Sequence, residues 1–453
     1  MTPVRLAAAR VLVAVERGRT TLAAEVDRGR SHLAEARDRA LLLELVSGTL
    51  RWQRALDGAL DACSRRPLST LDGAVRAVLR LAAYQLRHLD RVPAHAVVHE
   101  AVEATRALGH ARAAGLVNAV LRKLARSTAP AVPPAPADAA DRTQTLAYLA
   151  VALSHPEWLA ARWLDRHGFD AAAAWCRFNN DAPEVSVRPM RGESAADLVL
   201  RLAAEGIEAA PGRVVRDALR LPPGSLGRLA PATRARVAVL DEGSQLVAHA
   251  LGVRPGDRVL DVCAAPGGKT RVLADELRGD GLLVAGDYRR ARLALLRTTL
   301  AGDQVNARVL RLDATHPLPF RPIFDRVLVD APCSGLGTLR RDPDLKWSRQ
   351  PADLERLAGT ARQILARAAE VVRPGGRLLY ATCSSEPEEN DAVVDAFLES
   401  RPDFALVPAV PSAAVPTLDR VVDARGLVRT LPFRDRLDAY VAAVLERRAG
   451  GLV

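Results

Sequence analysis

Residues 261–270, with the sequence DVCAAPGGKT, combine residue types that suit the binding of a nucleotide-like cofactor. The apolar run RVLDV leads into small residues, Pro266, two glycines and a lysine, the pattern of a buried strand that turns into a helix. We expect Gly267 and Gly268 to let the backbone approach a ligand that a Cβ atom would repel, and the following helix to offer it unpaired N–H groups. The turn matches neither the dinucleotide fingerprint G-x-G-x-x-G nor the phosphate loop, which disfavours hydride and phosphoryl transfer.

Two aspartates follow at positions that suit the other parts of such a cofactor. Asp287 ends the next predicted strand, 20 residues beyond Gly267, the spacing at which an acid binds a ribose hydroxyl pair in nucleotide-binding folds. Asp313 ends the third predicted strand and is placed to accept a hydrogen bond from an adenine amino group. S-adenosylmethionine has both groups and a sulfonium cation but no phosphate, so it is the predicted cofactor. The alternative for each aspartate is a helix N-cap or a loop carboxylate.

A parallel sheet would bring these residues together. Strands predicted at 258–262, 282–287, 308–314, 324–331 and 377–384 alternate with helical segments. This alternation predicts an α/β, Rossmann-like domain with a mostly parallel sheet and helices on both faces. Ligands of such sheets bind beyond the carboxyl ends of the strands. The reactive or polar residues at or near those ends are Asp261, Asp287, Asp313, Asp330 and Cys383.

The rest of the chain divides by composition. Residues 1–126 show helical spacing throughout and predict an all-helical domain, and the Pro- and Ala-rich segment 127–141 predicts a linker. Residues 142–240 are mixed and predict a small α+β segment for substrate binding, in which Ser154 caps a helix that begins at Pro156. Residues 241–453 form the predicted catalytic domain.

The charge of the chain predicts a polyanionic partner. The formal net charge is +11, and residues 1–126 hold 21 Lys and Arg against 12 Asp and Glu. RNA or DNA is therefore the expected partner. A coding bias toward arginine is the alternative, because Lys123, Lys269 and Lys346 are the only lysines; it does not explain why the excess lies at one end.

The sequence disfavours disulfide-rich, zinc-binding, membrane and secreted proteins. The five scattered cysteines suit neither a disulfide framework nor zinc, so we expect no metal, and His155 and His316 are expected to be structural. No apolar stretch reaches the ~18 residues of a membrane span, and the N-terminus lacks the features of a signal peptide. We expect a cytoplasmic protein, a monomer without a membrane partner.

The motifs DVCAAPGGKT, DAPCSG and TCS with a downstream EEN resemble those of the Nop/Sun family of RNA 5-methylcytosine methyltransferases. The helical half, through ELVSGTLRW and GLVNAVLRKL, resembles the RNA-binding NusB domain, a combination typical of the bacterial branch that modifies 16S ribosomal RNA. The resemblance implies S-adenosylmethionine as cofactor. Its implied site is formed by Cys263, Ala264, Ala265, Pro266, Gly267, Gly268, Lys269, Asp287, Asp313 and Asp330. Cys263 is expected to be a packing residue within that loop.

The resemblance also implies the catalytic residues. Cys383 would be the nucleophile that adds to carbon-6 of a cytosine and activates carbon-5. Cys333 would help to remove the carbon-5 proton and expel the nucleophile, and Asp330 would bind the ring nitrogen-3 and the exocyclic amine. Lys269 and Lys346 are expected to contact cofactor or RNA phosphate, and Lys346 or the sulfonium to favour the thiolate.

The chain departs from the family pattern near its end. The family carries His where Phe433 stands and Gly-Phe where Ala439 and Tyr440 stand, which affects contacts near the substrate. Two alternatives remain at this point. The substrate is transfer RNA rather than ribosomal RNA, or the protein is a non-catalytic RNA-binding accessory factor that acts through its NusB-like half.

Overall fold

The computed structural model describes residues 2–18, 20–127, 132–190, 192–302 and 305–449. The chain forms two compact units. The first comprises residues 1–182 and 339–349, and the second comprises residues 183–338 and 350–453. This division differs from the predicted boundaries, because the segment after the linker and an 11-residue piece from the predicted catalytic domain belong to the helical unit. Residues 128–131 of the predicted linker lie outside the described residues.

The first unit is helical, as predicted for residues 1–126. Local sequence sets its boundaries: the Asp72 side chain, for example, accepts a hydrogen bond from the Ala74 N–H and caps α5, and Gly168 (φ 78°) kinks α9. Apolar residues from α1 to α7 share one core. The helices are α1 Pro3–Glu16, α2 Leu22–Arg30, α3 Ala36–Arg51, α4 Gln53–Asp61, α5 Gly73–His88, α6 Ala94–Ala107, α7 Ala114–Arg126, α8 Arg142–Ala147, α9 Glu157–Asn180 and, after the first segment of the second unit, α15 Leu345–Ser348.

The second unit begins with a small antiparallel sheet. Its strands are β1 Val185–Pro189, β2 Ala210–Pro211, β3 Leu219–Leu221 and β4 Val237–Val239, in the order β2-β3-β1-β4. The helices α10 Ala195–Ala204 and α11 Pro231–Arg234 accompany it. Val187, Leu198 and Leu202 are fully buried between sheet and helix. This is the predicted α+β segment, without the helices that precede residue 183.

A larger sheet forms the rest of the second unit. Its strand order is β10-β12-β9-β8-β5-β6-β7, with β11 also paired to β12. The strands β7, β6, β5, β8 and β9 are parallel to one another. The strand β12 pairs antiparallel with β9, β10 and β11. The elements are α12 Glu242–Ala250, β5 Arg258–Asp261, α13 Gly268–Leu277, β6 Leu282–Asp287, α14 Arg290–Gly302, β7 Arg308–Arg311, β8 Phe324–Asp330, α16 Pro351–Glu370, β9 Val372–Thr382, α17 Asp391–Ser400, β10 Phe404–Val407, β11 Val428–Arg429, α18 Pro432–Asp435 and β12 Val441–Arg447.

The central strands are buried on both faces, as parallel sheets require. Along β8, Val327 and Val329 pack in a core with α16 and α17, whereas Leu328 packs on the opposite face with α12 and α13. Alternate residues of one strand point to opposite faces, so each strand contributes to both cores. The predicted α/β, Rossmann-like fold with helices on both faces is confirmed.

The described residues hold neither a candidate membrane span nor a candidate metal cluster. They contain no helix that is long and apolar enough to cross a membrane. They also contain no group of three or more His, Cys, Asp or Glu side chains placed to hold a metal ion.

Candidate active site

The glycine-rich turn joins β5 to α13 at the carboxyl end of the sheet. Gly267 adopts φ 108°, a conformation that favours glycine, and its N–H donates to the Ala264 carbonyl at 2.8 Å. A Cβ atom at Gly268 would lie 2.5 Å from the Leu240 side chain. The backbone therefore favours glycine at 267, whereas a side chain at 268 would require the end of the Leu240 side chain to move. Contact of the turn with a cofactor stays a prediction.

A buried carboxylate lies directly before this turn. The Asp261 Oδ2 atom accepts a hydrogen bond from the Thr270 hydroxyl at 2.7 Å, whereas Oδ1 is buried and has no hydrogen-bond partner among the described residues. Burial raises the pKa of Asp261 to about 7, against the Thr270 hydrogen bond, which lowers it. An unpartnered buried oxygen is costly unless a ligand supplies a donor. The site thus has a free acceptor where a cofactor with amino or hydroxyl groups would fit.

The two aspartates predicted to hold ribose and adenine lie at the ends of β6 and β7. Asp287 is buried, and its Oδ1 atom accepts from the Arg289 N–H at 3.0 Å. Asp313 lies after β7, and its Oδ1 atom accepts from the Thr315 N–H at 3.1 Å and from the Thr315 hydroxyl. These bonds lower the pKa of the Asp313 carboxyl, which is partly buried. Both carboxylates accept hydrogen bonds from their own turns, as expected if they are N-caps or loop carboxylates. Their roles in cofactor binding stay predictions.

The two cysteines of the motif loops meet at the ends of β8 and β9. These strands are parallel neighbours, with Asp330 opposite Ala381 in the register. The Cys333 and Cys383 sulfurs lie 3.4 Å apart, although the residues are 50 positions apart in the chain. The structure thus brings together two thiols at the sheet edge where the fold binds its ligands.

A lysine–aspartate pair lies beside the thiols. The Lys269 ammonium is 2.7 Å from Asp330 Oδ2 and 3.5 Å from the Ser244 hydroxyl. Burial lowers the pKa of Lys269, but the charge and hydrogen bond of Asp330 outweigh it, so the pKa is raised and the lysine is cationic. Lys269 therefore brings a positive charge to the cysteine site.

The surroundings of Cys383 oppose the ionisation of its thiol. Its hydrogen bond with Cys333, its burial and the negative charge of Asp330 raise its pKa well above the usual range, and Lys269 lowers it. Lys269 thus supplies a positive charge of the kind expected from Lys346 or from the cofactor's sulfonium. Burial also raises the pKa of Cys263, which packs beside the core, in agreement with its expected packing role.

The residues that depart from the family pattern border the same site. The Tyr440 hydroxyl lies 2.9 Å from the Ser244 hydroxyl, and the Lys269 ammonium lies 5.7 Å from the Tyr440 ring centroid. The Ala439 N–H donates to the Gly337 carbonyl at 2.9 Å, and the Gly337 N–H donates to the Cys383 carbonyl at 2.9 Å. The chain end therefore packs against the loops that carry Lys269 and Cys383.

One residue of the site was missed by the sequence reasoning. Glu389 was noted as part of the EEN motif, but no role was assigned to it. Its carboxylate is buried and accepts hydrogen bonds from Ser334 and Ser384, the residues that directly follow the two cysteines. The available signal was the pair of Cys-Ser dipeptides in both motifs, which supplies matching donors.

The prediction for Lys346 is wrong. Its side chain is buried in the helical unit, where the ammonium donates to the carbonyls of Arg51 and Ser154 at 3.2 Å and to Asn180 Oδ1 at 2.7 Å. A lysine so enclosed is not available to an RNA phosphate. His155 is structural as expected: it is buried, and its ring contacts the Leu153 carbonyl and Asn179.

Comparisons with known proteins identify the family. A family model described as 16S rRNA methyltransferase RsmB/F matches residues 248–446, the NusB family matches 2–126, and a ferredoxin-like domain of RsmF/B-like methyltransferases matches 155–224. The ribosomal RNA small subunit methyltransferase B of Pseudomonas putida is 37% identical over 88% of this chain and 89% of its own length. A probable protein of the same description from Bacillus subtilis is 36% identical over 81% of each chain.

Solved structures agree on the fold. The crystal structure of PH0851 covers 99% of both chains with a TM-score of 0.79 at 24% identity. A methyltransferase homologue from Pyrococcus horikoshii covers 67% of this chain and 99% of its own, with a TM-score of 0.56 at 27% identity. The resemblance and the cofactor class predicted from the motifs are confirmed. The chain belongs to the RsmB/F family of S-adenosylmethionine-dependent 16S ribosomal RNA methyltransferases, with a NusB-family domain at residues 2–126.

Proposed function

We propose that this protein methylates carbon-5 of a cytosine in 16S ribosomal RNA through a covalent adduct with Cys383. The observation that carries the proposal is the 3.4 Å separation of the Cys333 and Cys383 sulfurs at the carboxyl ends of two adjacent parallel strands. A reaction at carbon-5 of a pyrimidine needs one thiol to add to the ring and a second group to complete elimination. Two thiols in contact match that need.

The proposed reaction assigns a separate step to each residue. The Cys383 thiolate adds to carbon-6, which makes carbon-5 electron-rich enough to form a bond to a methyl group. Cys333, as a thiolate or through water, then takes the carbon-5 proton, and the ring electrons expel Cys383 as a thiolate. Asp330 hydrogen-bonds to the ring nitrogen-3 and the exocyclic amine, which selects cytosine over uracil. The bond between the methyl group and the donor's sulfur would break as the bond to carbon-5 forms. Each turnover would release one proton, the one taken from carbon-5, which Cys333 would pass to solvent, and Cys383 ends as the thiolate that began the reaction.

The residues around the glycine-rich turn fit the cofactor. Asp261 has an unpartnered buried oxygen, and Asp287 and the N-terminus of α13 border the same turn. S-adenosylmethionine supplies an electrophilic methyl group and a positive sulfonium charge when bound. We propose that the loop 263–269, Asp287, Asp313 and Asp330 hold it, and that Lys269 acts with its charge to favour the Cys383 thiolate.

The helical unit supports RNA as the partner. Residues 1–126 carry 21 basic against 12 acidic side chains, and a NusB-family model matches this region. A basic surface of this kind binds the phosphate backbone. We propose that the protein acts in the cytoplasm as a monomer, on ribosomal RNA rather than transfer RNA.

Bisulfite sequencing of RNA tests the proposal. Ribosomal and transfer RNA from cells with and without the protein would be compared, because 5-methylcytosine resists conversion. We expect one 16S cytosine to lose its protection in the deletion strain and to regain it with the wild-type gene or Cys63→Ala, but not with Cys383→Ala. Cys63 is a partly buried cysteine of the helical unit and is the matched control.

Three other results would contradict the proposal. Protection restored by Cys383→Ala would exclude that residue as the nucleophile. A change confined to transfer RNA would identify the other substrate class. No change in either RNA, together with no measurable affinity for S-adenosylmethionine, would favour an accessory protein that acts through its NusB-family domain.

A further inference from the structure

Glu389 is a buried acid that bridges the two cysteine loops. Its Oε1 atom accepts a hydrogen bond from the Ser334 N–H at 2.6 Å. Its Oε2 atom accepts from the Ser334 hydroxyl at 2.6 Å and from the Ser384 hydroxyl at 2.5 Å. The residue is 1% exposed, and both serines are fully buried. One carboxylate therefore uses three donors from two loops that are 50 residues apart.

The serines are the immediate neighbours of the proposed reacting residues. Ser334 follows Cys333, and Ser384 follows Cys383. Fixing the hydroxyl of each serine and the N–H of Ser334 restricts the backbone that carries each sulfur. The two sulfurs lie 3.4 Å apart. The next residues of the two loops are also close: the serine hydroxyls lie 3.2 Å apart, and both donate to Glu389.

The position of Glu389 is itself fixed. It ends a short 3-10 turn, Pro387–Glu389, and its carbonyl accepts from the Tyr380 hydroxyl at 2.5 Å. The next residue, Asn390, donates from its side chain to the Ser384 carbonyl at 3.0 Å and accepts from the Thr382 hydroxyl. Tyr380 and Thr382 belong to β9, so the turn is tied to the strand that carries Cys383.

A carboxylate suits this position better than its neutral analogue. An ionised Glu side chain only accepts hydrogen bonds, so it can satisfy three donors at once. A glutamine at 389 has one acceptor oxygen and an NH2 group, which would force at least one serine hydroxyl to turn away. Burial raises the pKa of Glu389, against the Ser334 and Ser384 hydrogen bonds, which lower it and favour the ionised form. Removing the acceptor would leave buried donors unsatisfied.

We propose that Glu389 is a positioning residue that sets the separation of Cys333 and Cys383 through Ser334 and Ser384, an inference that rests on the proposed function. Glu389 does not touch the reacting atoms. Its loss should lower kcat for methyl transfer and leave the KM for RNA and the affinity for S-adenosylmethionine near the wild-type values. The reason is that displacement of a reacting group by about 1 Å can cost about a hundredfold in rate.

A chemical test measures the sulfur separation without RNA. Diamide oxidises two neighbouring thiols to a disulfide and is itself reduced to the hydrazine, and peptide mass spectrometry would quantify the Cys333–Cys383 link. We expect the link to form at least about tenfold more slowly in Glu389→Gln and slower still in Glu389→Ala, because the thiols lose their fixed geometry. The kcat for methyl transfer should fall in the same order.

Two controls separate positioning from general effects. Glu399→Gln makes the same chemical change at an exposed site on α17 and should match the wild type. Val393→Ala removes buried methyl groups from the neighbouring core and should lower stability without slowing the disulfide reaction. If the Glu389 variants fail to fold, Ser334→Ala and Ser384→Ala each remove one of the three hydrogen bonds to Glu389, together with the contact between the two hydroxyls, and should give partial effects.

The outcomes are distinct. Wild-type disulfide and methylation rates in the Glu389 variants, or an equal slowing in Val393→Ala, would overturn the positioning role. If the wild type methylates no cytosine but the Glu389 variants still slow the disulfide reaction, the proposed function fails while the structural link between Glu389 and the thiols stands.

Discussion

Cys333 lies 3.4 Å from the Cys383 sulfur, a distance suited to a group that completes the reaction begun by its neighbour. We expect Cys333→Ala to trap the enzyme on RNA after methyl transfer, because nothing then takes the carbon-5 proton and Cys383 is not expelled. A denaturing gel with labelled RNA would show a retained covalent species. The Cys333→Ala, Cys383→Ala double variant should show none, and normal turnover of Cys333→Ala without a retained species would contradict the assignment.

Lys269 is the cation that favours the Cys383 thiolate in this site. Because its removal leaves the negative charge of Asp330 without a compensating cation, Lys269→Gln should raise the pKa of Cys383 and slow its alkylation by iodoacetamide at neutral pH. Methyl transfer should slow by about tenfold, which corresponds to roughly 1.4 kcal/mol. Mass spectrometry of the Cys383 peptide across a pH series would measure the shift. Lys123→Gln, at an exposed lysine of α7, is the control, and identical pH profiles for the two variants would exclude the role.

At the scale of elements, the catalytic strands were predicted well. The five predicted strands correspond to β5, β6, β7, β8 and β9, with most ends within two or three residues. Two-sided burial leaves a continuous apolar run in the sequence of the inner strands, whereas β7 is an edge strand that is mostly exposed. Placing Asp330 and Cys383 at one sheet edge followed from that topology. The antiparallel strands β10 and β11 were not assigned in the sequence, and β12 was indicated only by the resemblance of the C-terminal segment to the family's closing strand region.

Contacts between distant segments were not predictable in the same way. Ser154 was predicted to cap a helix, but its hydroxyl accepts from the Arg54 N–H at 2.9 Å, and its φ of 56° is not that of an N-cap, so the prediction is wrong. Glu389, within an acidic run, resembles a solvated residue until the serines of two loops are known to surround it. Lys346 looked like a free charge for the same reason.

Within the helical unit, we expect the groove between α6 and α7 to bind the RNA backbone. It has a volume of about 800 Å³ and is lined by His95, His99, Arg106, Arg122 and Arg126, with Glu103 as the acid of the lining. The double variant Arg122→Glu, Arg126→Glu should weaken RNA binding and reduce the slope of log affinity against log salt by about two, roughly one per lost phosphate contact.

Filter binding of a 16S fragment at several salt concentrations would measure this effect. Arg10→Glu, Arg17→Glu is the matched control, because both arginines are exposed on the same unit and neither lines the groove. Equal losses in the two double variants would show that only the net charge of the unit matters, and the groove would then have no special role.

At the scale of the whole molecule, the chain passes between its units more than once. Residues 339–349, which follow the Cys333 loop in sequence, belong to the helical unit. There Lys346 donates to three oxygens, and the Trp347 indole N–H donates to the Leu50 carbonyl at 2.7 Å. The stability of the helical unit therefore depends on a segment that is distant from the rest of it in sequence.

Lys346 should make that stability depend on pH. Burial lowers its pKa from 10.5 to about 7, so between these values the unfolded chain binds a proton that the folded unit does not. The free energy of unfolding of the wild type should then rise as pH increases from about 7 to 10. Lys346→Met lacks this rise and should be less stable by about 1–3 kcal/mol, because buried oxygens lose their donor.

Hydrogen exchange of peptides from 339–349 in the full chain, corrected for intrinsic rates, would measure both effects. The cost of Lys346→Met should be smallest near pH 7 and grow toward pH 10, since only the wild type gains stability over that interval. Lys123→Met removes an exposed lysine of the same unit and should show no such growth. A cost of Lys346→Met that stays constant with pH would mean that the buried ammonium keeps its proton, held by its three oxygen acceptors.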